Sequence, residues 1–276
     1  MITSHTEEEY KKLQEGIDRI TPAMFEECKL TGDDKGEYAL RTFLNALPKA
    51  VEESRKVGET PAVWLIYNMG LLVKTKETFF SVDLCHPGAV SVAPMLDFAM
   101  ITHNHDDHYT DAFYNVMNGE LKKTVVNNFE GNYGGYRGGN SFGGGYTRGG
   151  KTFEFGDVKI ITSSADHNGY LIDFTMPFEI HIGDLVLYHT GDVCNVNKLN
   201  PTVTPDIWFV HPECGLKVVD GYNKFRPKLT VIGHLNEMGH AKDRWRWSFE
   251  DGFRSANAIR ELGGEAIVPL WGDRVL

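Results

Sequence analysis

The order of apolar and polar residues divides the chain into a helical first part and a strand-rich remainder. Residues 4–56 carry apolar positions at helical spacing, and Ser4 and Thr6 are candidate helix N-caps. From Pro61 onwards, short apolar runs such as "AVWLIY" alternate with turn residues, which is typical of strands. We therefore predict an N-terminal helical extension over residues 1–60, packed on a core domain over residues 61–276.

Strands and helices alternate in the second part of the chain. Two hairpins are predicted to turn at Gly156-Asp157 and at Gly183-Asp184. Further predicted elements are strands in "LLVKTKE", "TFFSVDL", "DFAMI", residues 124–127, "DIWFV", "KLTVI" and "EAIVPL", and helices near residues 90–96, 111–118 and 247–262. Strands in two groups, with helices between and after them, predict an α/β fold in which two sheets pack face to face with helices outside.

Composition narrows the class of protein. The 276 residues are 41% hydrophobic, and no apolar run approaches the roughly 20 residues that span a bilayer. The N-terminal stretch "MITSHTEEEYKK" carries acidic residues where a signal peptide is basic and then apolar, so we predict a cytoplasmic protein. A formal charge of -10 disfavours binding of nucleic acid and favours small-molecule substrates. The sequence leaves the oligomeric state open. Four dispersed cysteines without a CxxC pair are interpreted as buried free thiols.

Candidate metal ligands follow four predicted strands. The stretch "THNHDDHY" comes directly after "DFAMI" and supplies His103, His105, Asp107 and His108. His167 follows the strand "VKIIT", Asp192 follows "DLVLY", and His234 follows "LTVI". Five imidazoles and two carboxylates at strand ends are enough for two divalent cations that share one carboxylate, with positions left for water.

This series resembles the metallo-β-lactamase fold superfamily of metal-dependent hydrolases over residues 61–276. The resemblance implies a four-layer αββα sandwich. It also implies that the first metal is held by His103, His105 and His167, the second by Asp107, His108 and His234, and that Asp192 bridges them. Asp83 in "FFSVDL" matches the motif whose buried aspartate orients a ligand. The "YNMGLLVKT" hairpin and the compact length are most similar to the L-ascorbate-6-phosphate lactonase branch, from which no substrate is inherited.

Three functions remain open at this point. The first is hydrolysis of a small ester, lactone or phosphorylated metabolite by a hydroxide on two metals, with Asp107 as the catalytic carboxylate that orients it. The second is a phosphodiesterase or nuclease, favoured by the basic aromatic stretch "AKDRWRW" and by a glycine-rich segment. The third is a non-catalytic or redox metal protein, although related diiron proteins carry Glu where this chain has His105. Zinc is the first choice of metal, with manganese and iron as alternatives.

Other polar residues are weaker candidates for contact with substrate or ligands. Two interpretations of His211 have equal weight, a role beside the ligands and a structural role. His240 and Glu237 are interpreted as part of a solvated loop, with contact to substrate as the alternative. Residues 131–150 are half glycine with interleaved aromatic residues. We predict that they form a flap over the substrate, in which Arg137 and Arg148 bind an anionic group.

Overall fold

Two β-sheets form the centre of the computed structural model, which describes residues 4–28, 32–120, 124–126, 149–167 and 171–276. The first sheet has the strand order β13-β1-β2-β3-β4-β5 and the second has the order β12-β11-β10-β9-β8-β7-β6. The strands are β1 Ala62–Tyr67, β2 Gly70–Lys74, β3 Phe79–Val82, β4 Phe98–Ile101, β5 Thr124–Val126, β6 Thr152–Phe155, β7 Val158–Thr162, β8 Phe178–Ile182, β9 Leu185–His189, β10 Ile207–Val210, β11 Leu229–Ile232, β12 Ala266–Ile267 and β13 Asp273–Arg274.

Helices cover the outer face of each sheet. They are α1 Glu7–Ile17, α2 Pro22–Glu26, α3 Asp34–Ser54, α4 Ala89–Val92, α5 Asp111–Tyr114, α6 Val218–Phe225 and α7 Phe249–Glu261, with a π-helical turn over Asn115–Glu120 and 3₁₀ turns at Ala93–Met95 and Val196–Lys198. Alternating strand residues explain this arrangement, because successive side chains point to opposite faces of a sheet. Val63, Phe80 and Phe209 pack between the sheets, whereas Trp64 and Trp208 belong to the core beneath the helices. The predicted four-layer αββα sandwich is confirmed.

The N-terminal extension packs on the first sheet through α3. Thr6 and Glu9 form a capping box that begins α1, and Asp33 caps α3. The apolar face of α3, including Phe43 and Leu47, is buried together with residues of β1. His5 Nε2 lies 2.7 Å from Asp273 Oδ2, so the segment before α1 also contacts β13.

The second part of the chain matches most of the predicted elements, with three differences. The two hairpins turn at Gly156-Asp157 and Gly183-Asp184 as predicted. Only Ala266–Ile267 of "EAIVPL" forms a strand, and α6 and β13 were not predicted. The proposed flap, with Arg137 and Arg148, lies outside the described residues except for Gly149 and Gly150. Within the described ranges, no helix has the length and apolar character that crossing a bilayer requires.

Candidate metal centre

The ends of parallel strands from both sheets meet at one edge of the sandwich. In the first sheet, β3 and β4 run parallel and are followed by Asp83 and by the HxHxDH stretch. In the second sheet, β9, β10 and β11 run parallel and are followed by Asp192, His211 and His234. Since the carboxyl ends of parallel strands share one edge, the chain places polar side chains from both sheets opposite one another there.

Close backbone contacts bring the loops of the two sheets together. Gly191 has a positive φ of 56°, and a Cβ at this position would lie 2.8 Å from Thr102 Oγ1, so glycine is required for the approach of the Asp192 loop. The His234 N–H donates to Asn68 O at 3.0 Å, which joins the loop after β11 to the β1–β2 turn. Asn68, Asp83 and His234 themselves adopt left-handed backbone conformations, with φ of 55°, 45° and 53°. Such conformations cost free energy in residues other than glycine and are concentrated at functional sites.

Three histidines form a first group of ligand atoms. His103 Nε2 lies 3.2 Å from His105 Nδ1, and a ring nitrogen of His167 is within 4.8 Å of both rings' ligand atoms. The other nitrogen of the first ring, His103 Nδ1, lies 3.0 Å from Thr102 Oγ1, which leaves Nε2 directed into the group. His103 is fully buried.

A second group combines two histidines with two aspartates, all of them buried. His234 Nε2 lies 2.9 Å from Asp107 Oδ2, and His108 Nε2 lies 3.5 Å from the same oxygen. Two ligand atoms bound to one cation at roughly 2.1 Å lie roughly 3.0–3.4 Å apart at octahedral to tetrahedral angles. The observed separations are therefore close to those of ligands that share a cation.

Asp192 lies between the two groups. Its Oδ2 is 3.6 Å from His167 Nε2 and 3.1 Å from His234 Nε2, whereas Oδ1 is 3.2 Å from His108 Nε2. Oδ2 is also 3.9 Å from His103 Nε2. One carboxylate is thus within reach of both groups, which is the arrangement that a bridging ligand requires.

Buried hydrogen bonds hold the ligand side chains in place. His108 Nδ1 lies 2.9 Å from Asp83 Oδ2, so the ring donates to this carboxylate and directs Nε2 towards Asp192. Asp83 is itself fixed by Thr102, whose backbone N–H and hydroxyl each donate at 2.7 Å. On the other side, Asn68 Nδ2 donates to Asp107 Oδ2 at 2.9 Å.

The nearby carboxylates raise the pKa of two ligand histidines. Burial alone would lower the pKa of His234, but the charge of Asp192 and a hydrogen bond with Asp107 raise it to about 9. The pKa of His108 is raised well above its ordinary value for the same reason, since the aspartate charges outweigh burial. Without a cation, protons on these two rings therefore balance the carboxylates.

Burial keeps two further candidate ligands, His103 and His105, in the neutral form. Burial lowers the pKa of His103 well below its ordinary value, and the charge of His108 lowers it further. Burial also lowers the pKa of His105 to about 4. For the carboxyl group of Asp192, burial raises the pKa, but the charges of His234 and His108 outweigh this effect and hold it well below its ordinary value. Neutral imidazoles and ionised carboxylates are the forms that bind metal ions.

Several candidate ligand atoms make no hydrogen bond of standard geometry within the described part of the chain, although some of them lie at ion-pair distance from the aspartates. They are Nε2 of His108, both ring nitrogens of His167, Oδ1 of Asp192, and both ring nitrogens of His234. Buried polar atoms are normally hydrogen-bonded, and leaving one unsatisfied costs about 1–3 kcal/mol. The donor set, the spacing and these uncommitted atoms together fit divalent cations.

His211 and Trp247 form a wall beside the second group. The His211 ring lies against His234, with ring centroids 4.0 Å apart, and meets the Trp247 indole edge-on at 4.4 Å. The Glu213 N–H donates to His211 Nδ1 at 3.0 Å, so the proton of the neutral ring is on Nε2. Burial lowers the pKa of His211 well below its ordinary value, with a further contribution from the charge of His234.

Residues 235–238 directly after His234 are buried, so the interpretation of Glu237 as part of a solvated loop was wrong, whereas Gly239 and residues 241–245 are exposed. Glu237 is 2% exposed and accepts hydrogen bonds from the Tyr67 hydroxyl and from the backbone N–H of Gly239 and His240. His240 Nδ1 lies 2.6 Å from Glu237 Oε2 and its side chain is 35% exposed. In contrast, His189 is a buried core histidine whose Nε2 donates to Met69 O at 2.8 Å.

Sequence reasoning missed Asn68 and Cys214. Asn68 stands in the turn "YNMG", which carries a turn signal but no indication of the distant Asp107 that it holds. Cys214 Sγ, a ring nitrogen of His167 and a carboxylate oxygen of Asp192 lie within 4.8 Å of one another, although the spacing of the cysteines gave no signal for a metal site.

Comparison with known proteins identifies solved structures of similar fold. No protein-family model matches the chain, and no curated protein sequence matches it. A possible metal-dependent hydrolase from Veillonella parvula has a TM-score of 0.58 and 14% identity, covering 79% of this chain and 99% of that one. The metallo-β-lactamase fold protein YhfI from Bacillus subtilis has a TM-score of 0.54 and 12% identity, covering 78% and 98%. CmlA, a diiron β-hydroxylase from Streptomyces venezuelae, has a TM-score of 0.53 and 14% identity, covering 78% and 54%. Identities this low show a shared fold and leave the chemistry to the residues of the site.

Proposed function

We propose that this chain, which has the metallo-β-lactamase fold, is a hydrolase that uses two divalent cations to act on a small ester, lactone or phosphorylated metabolite. The observation that carries the proposal is the position of Asp192. Its two carboxylate oxygens lie 3.1–3.6 Å from ring nitrogens of His167, His234 and His108, which belong to different ligand groups.

The first cation would be held by the first group together with Asp192, and the second by the remaining ligands together with the same carboxylate. Imidazole and carboxylate ligands suit zinc, iron and manganese, with zinc as the first choice. When bound, two such cations supply a shared water of lowered pKa and polarise an oxygen of the substrate.

Asp107 is proposed as the group that moves a proton. Its carboxylate lies among His108, His234 and the Asn68 amide, which fixes its orientation. We expect it to accept the proton that the attacking water loses and to deliver this proton to the leaving oxygen. Proton transfer by a positioned side chain contributes about 10²–10⁴-fold to a rate.

His211 is proposed as a hydrogen-bond donor to the substrate. Its Nδ1 accepts from the Glu213 N–H, so a neutral ring carries its proton on Nε2, and the ring lies against His234 of the second ligand group. The low pKa keeps the ring neutral, and its contact with Trp247 keeps it from turning. A donor fixed in a buried site can stabilise negative charge on a substrate oxygen as the bond to water forms.

The structure removes much of the support for a nuclease. Arg246 in "AKDRWRW" is 8% exposed and donates to main-chain carbonyl groups, including Ile20 O and Met238 O. Trp247 packs on His211 and donates from Nε1 to Glu213. Arg246 and Trp247, which suggested contact with nucleic acid, therefore make intramolecular contacts instead. A small-molecule substrate is the better proposal.

A redox function is the second candidate, because the similar structures include the diiron hydroxylase CmlA. The two candidates differ in measurable products. A hydrolase with two bound metals should turn over esters, lactones or phosphate esters without oxygen, whereas a diiron oxygenase should contain iron and consume oxygen. Metal content and oxygen uptake on the same protein preparation would separate them.

A hydrolysis panel tests the proposal. Protein with quantified metals would be assayed against lactones, carboxylic esters, phosphate monoesters and bis-p-nitrophenyl phosphate. We expect turnover of at least one small ester, lactone or monoester, with a loss of about 10²–10⁴-fold in kcat for Asp107→Asn. Asp184→Asn, an exposed carboxylate in the β8–β9 turn, is the matched control and should leave kcat unchanged. Preference for bis-p-nitrophenyl phosphate would favour a phosphodiesterase, and absence of turnover with two metals bound would contradict an enzyme of this class.

A further inference from the structure

A cysteine thiol lies at the edge of the candidate metal centre. Cys214 is three residues beyond His211, in the loop that follows β10. Its Sγ donates to the main-chain oxygen of Asp192 at 3.4 Å and lies 3.6 Å from that of His167. The same sulfur is within 4.8 Å of a ring nitrogen of His167 and of a carboxylate oxygen of Asp192. The thiol therefore adjoins one ligand of the first group and the carboxylate between the groups.

The backbone around Cys214 is held in position by its neighbours. Gly215 has a φ of 89°, a conformation that side chains disfavour, and a Cβ there would lie 3.1 Å from the Cβ of Cys194. Cys194 is anchored in turn, because its N–H donates to Asp166 O at 2.8 Å. The loop thus packs closely on the segment that follows Asp192, which keeps the thiol at this edge.

Candidate ligand atoms of two buried or half-buried side chains lie near the thiol. The side chain of Asp192 is only 6% exposed, and its Oδ1 lies 3.2 Å from His108 Nε2 but makes no hydrogen bond of standard geometry among the residues that the structure describes. Both ring nitrogens of His167 likewise make none in the described ranges. A carboxylate and an imidazole beside a sulfur, all within ligand spacing, are a donor set for a thiophilic cation.

We propose that Cys214 is a soft ligand of the metal centre, approaching a cation from the side of His167 and Asp192. On binding, the thiol would lose its proton to solvent as the sulfur–metal bond forms, so that one proton is released for each sulfur ligand. This inference rests on the proposed metal centre and adds a cation preference to it. Thiolate ligands favour zinc, cobalt and cadmium, whereas an all-oxygen and nitrogen set also accepts manganese and magnesium.

Cobalt(II) substitution tests the sulfur ligand directly. Metal-free protein would be titrated with Co²⁺ while absorption is followed, because a thiolate on Co²⁺ adds a near-ultraviolet charge-transfer band to the visible d–d bands of the ion. We expect both sets of bands in the unaltered protein. Cys214→Ser and Cys214→Ala should keep the d–d bands and lose the charge-transfer band, whereas the control Cys194→Ser should keep both.

Metal affinity provides a second measurement. The Kd for Cd²⁺ should rise tenfold or more in Cys214→Ser, which corresponds to about 1.4 kcal/mol, while the Kd for Mn²⁺ changes less than twofold. Zinc X-ray absorption on the unaltered protein gives a readout that needs no variant, since a sulfur neighbour scatters differently from nitrogen and oxygen. A sulfur scatterer at ligand distance is the expected result.

Different outcomes separate this inference from the proposed function. Bound Co²⁺ with d–d bands but without a charge-transfer band would overturn the sulfur ligand and leave the metal centre in place. Failure to bind any divalent cation would overturn the metal centre and the proposed function together. A charge-transfer band that survives in both Cys214 variants but disappears in Cys194→Ser would also overturn the proposal, because it would assign the sulfur to Cys194.

Discussion

Arg246 provides a test of how the N-terminal extension supports the site. It is 8% exposed, and its guanidinium donates only to main-chain oxygens in the contacts that the structure describes. Two of these oxygens, Ile17 O at 3.3 Å and Ile20 O at 2.9 Å, belong to the end of α1 and the residues after it. The others belong to Glu237, Met238 and His240, in the loop that carries His234. One buried side chain thus joins the N-terminal extension to the loop that carries His234.

Arg246→Met should remove these bonds while filling a similar volume. Hydrogen bonds to a charged group contribute about 1.5–3 kcal/mol each, but carbonyls at the boundary regain water when the loop relaxes. We therefore expect a loss of about 3–5 kcal/mol in the free energy of unfolding, because several buried carbonyl groups lose their donor at about 1–3 kcal/mol each and relaxation of the loop offsets part of this cost. Arg246→Lys should lose less, because an ammonium keeps three of the five N–H donors.

Urea unfolding of metal-free and metal-loaded protein measures this effect, with unchanged m-values as the check on two-state behaviour. The control is Arg254→Met, whose side chain is 62% exposed and pairs with Glu213 and Asp251 at the surface. Exposed pairs contribute about 0–1 kcal/mol. If Arg246→Met lost no more stability than this control, the reasoning on the buried guanidinium would be refuted.

Three further predictions concern the ligands themselves. Asp192→Ala should weaken or remove both metals while the fold survives, and elemental analysis that still finds two metals per chain would contradict the bridging position. His234→Ala should chiefly empty the second site and His167→Ala the first, which anomalous scattering would distinguish; loss of the same metal in both would contradict this division. Because the pKa of His234 is raised to about 9 and that of His108 also lies above its ordinary value, metal uptake at neutral pH should release protons from both rings, measurable by calorimetry in buffers of different ionisation enthalpy. The same pKa shifts predict a pH dependence of stability in metal-free protein. The stabilisation from the protonated rings should be complete below about pH 6.5 and should decline as the pH rises through about 9. A urea midpoint that rises over this range would contradict the protonation of His108 and His234.

The elements that could be predicted from the sequence depend on local signals. The hairpin turns at Gly156 and Gly183 need only a left-handed glycine and flanking apolar runs. The candidate ligands could be placed at one sheet edge because polar residues that directly follow buried strands must lie there. Asn68 and Cys214 were missed because their neighbours, Asp107 and His167, are brought near only by the completed fold.

Two elements were missed because tertiary contacts override local preference. Helix α6 contains Gly221, which weakens helix propensity, but a Cβ at that position would overlap the indole of Trp208. The glycine is therefore a packing requirement of α6 on the second sheet. Strand β13 is only two residues long and is defined by its pairing with β1, in the register Trp64↔Arg274 and Leu65↔Asp273. Two residues are too few to show the alternation of apolar and polar positions that predicts a strand.

The pairing of β1 with β13 has a consequence for the order in which the molecule assembles. His5 and Asp273, which contact each other beside this pairing, are 268 positions apart, so both contacts require the closure of a very long loop. During synthesis, His5 and β1 leave the ribosome long before Asp273 and β13 exist, and the outer edge of β1 stays open until then. Apart from the β1–β13 pairing, both sheets are built from successive strands, β1 to β5 in the first and β6 to β12 in the second, so that each strand can pair with the preceding one as it emerges. We expect both sheets to form largely before β13 docks on β1 and His5 contacts Asp273, with the exposed β1 edge as the stage most open to misassociation.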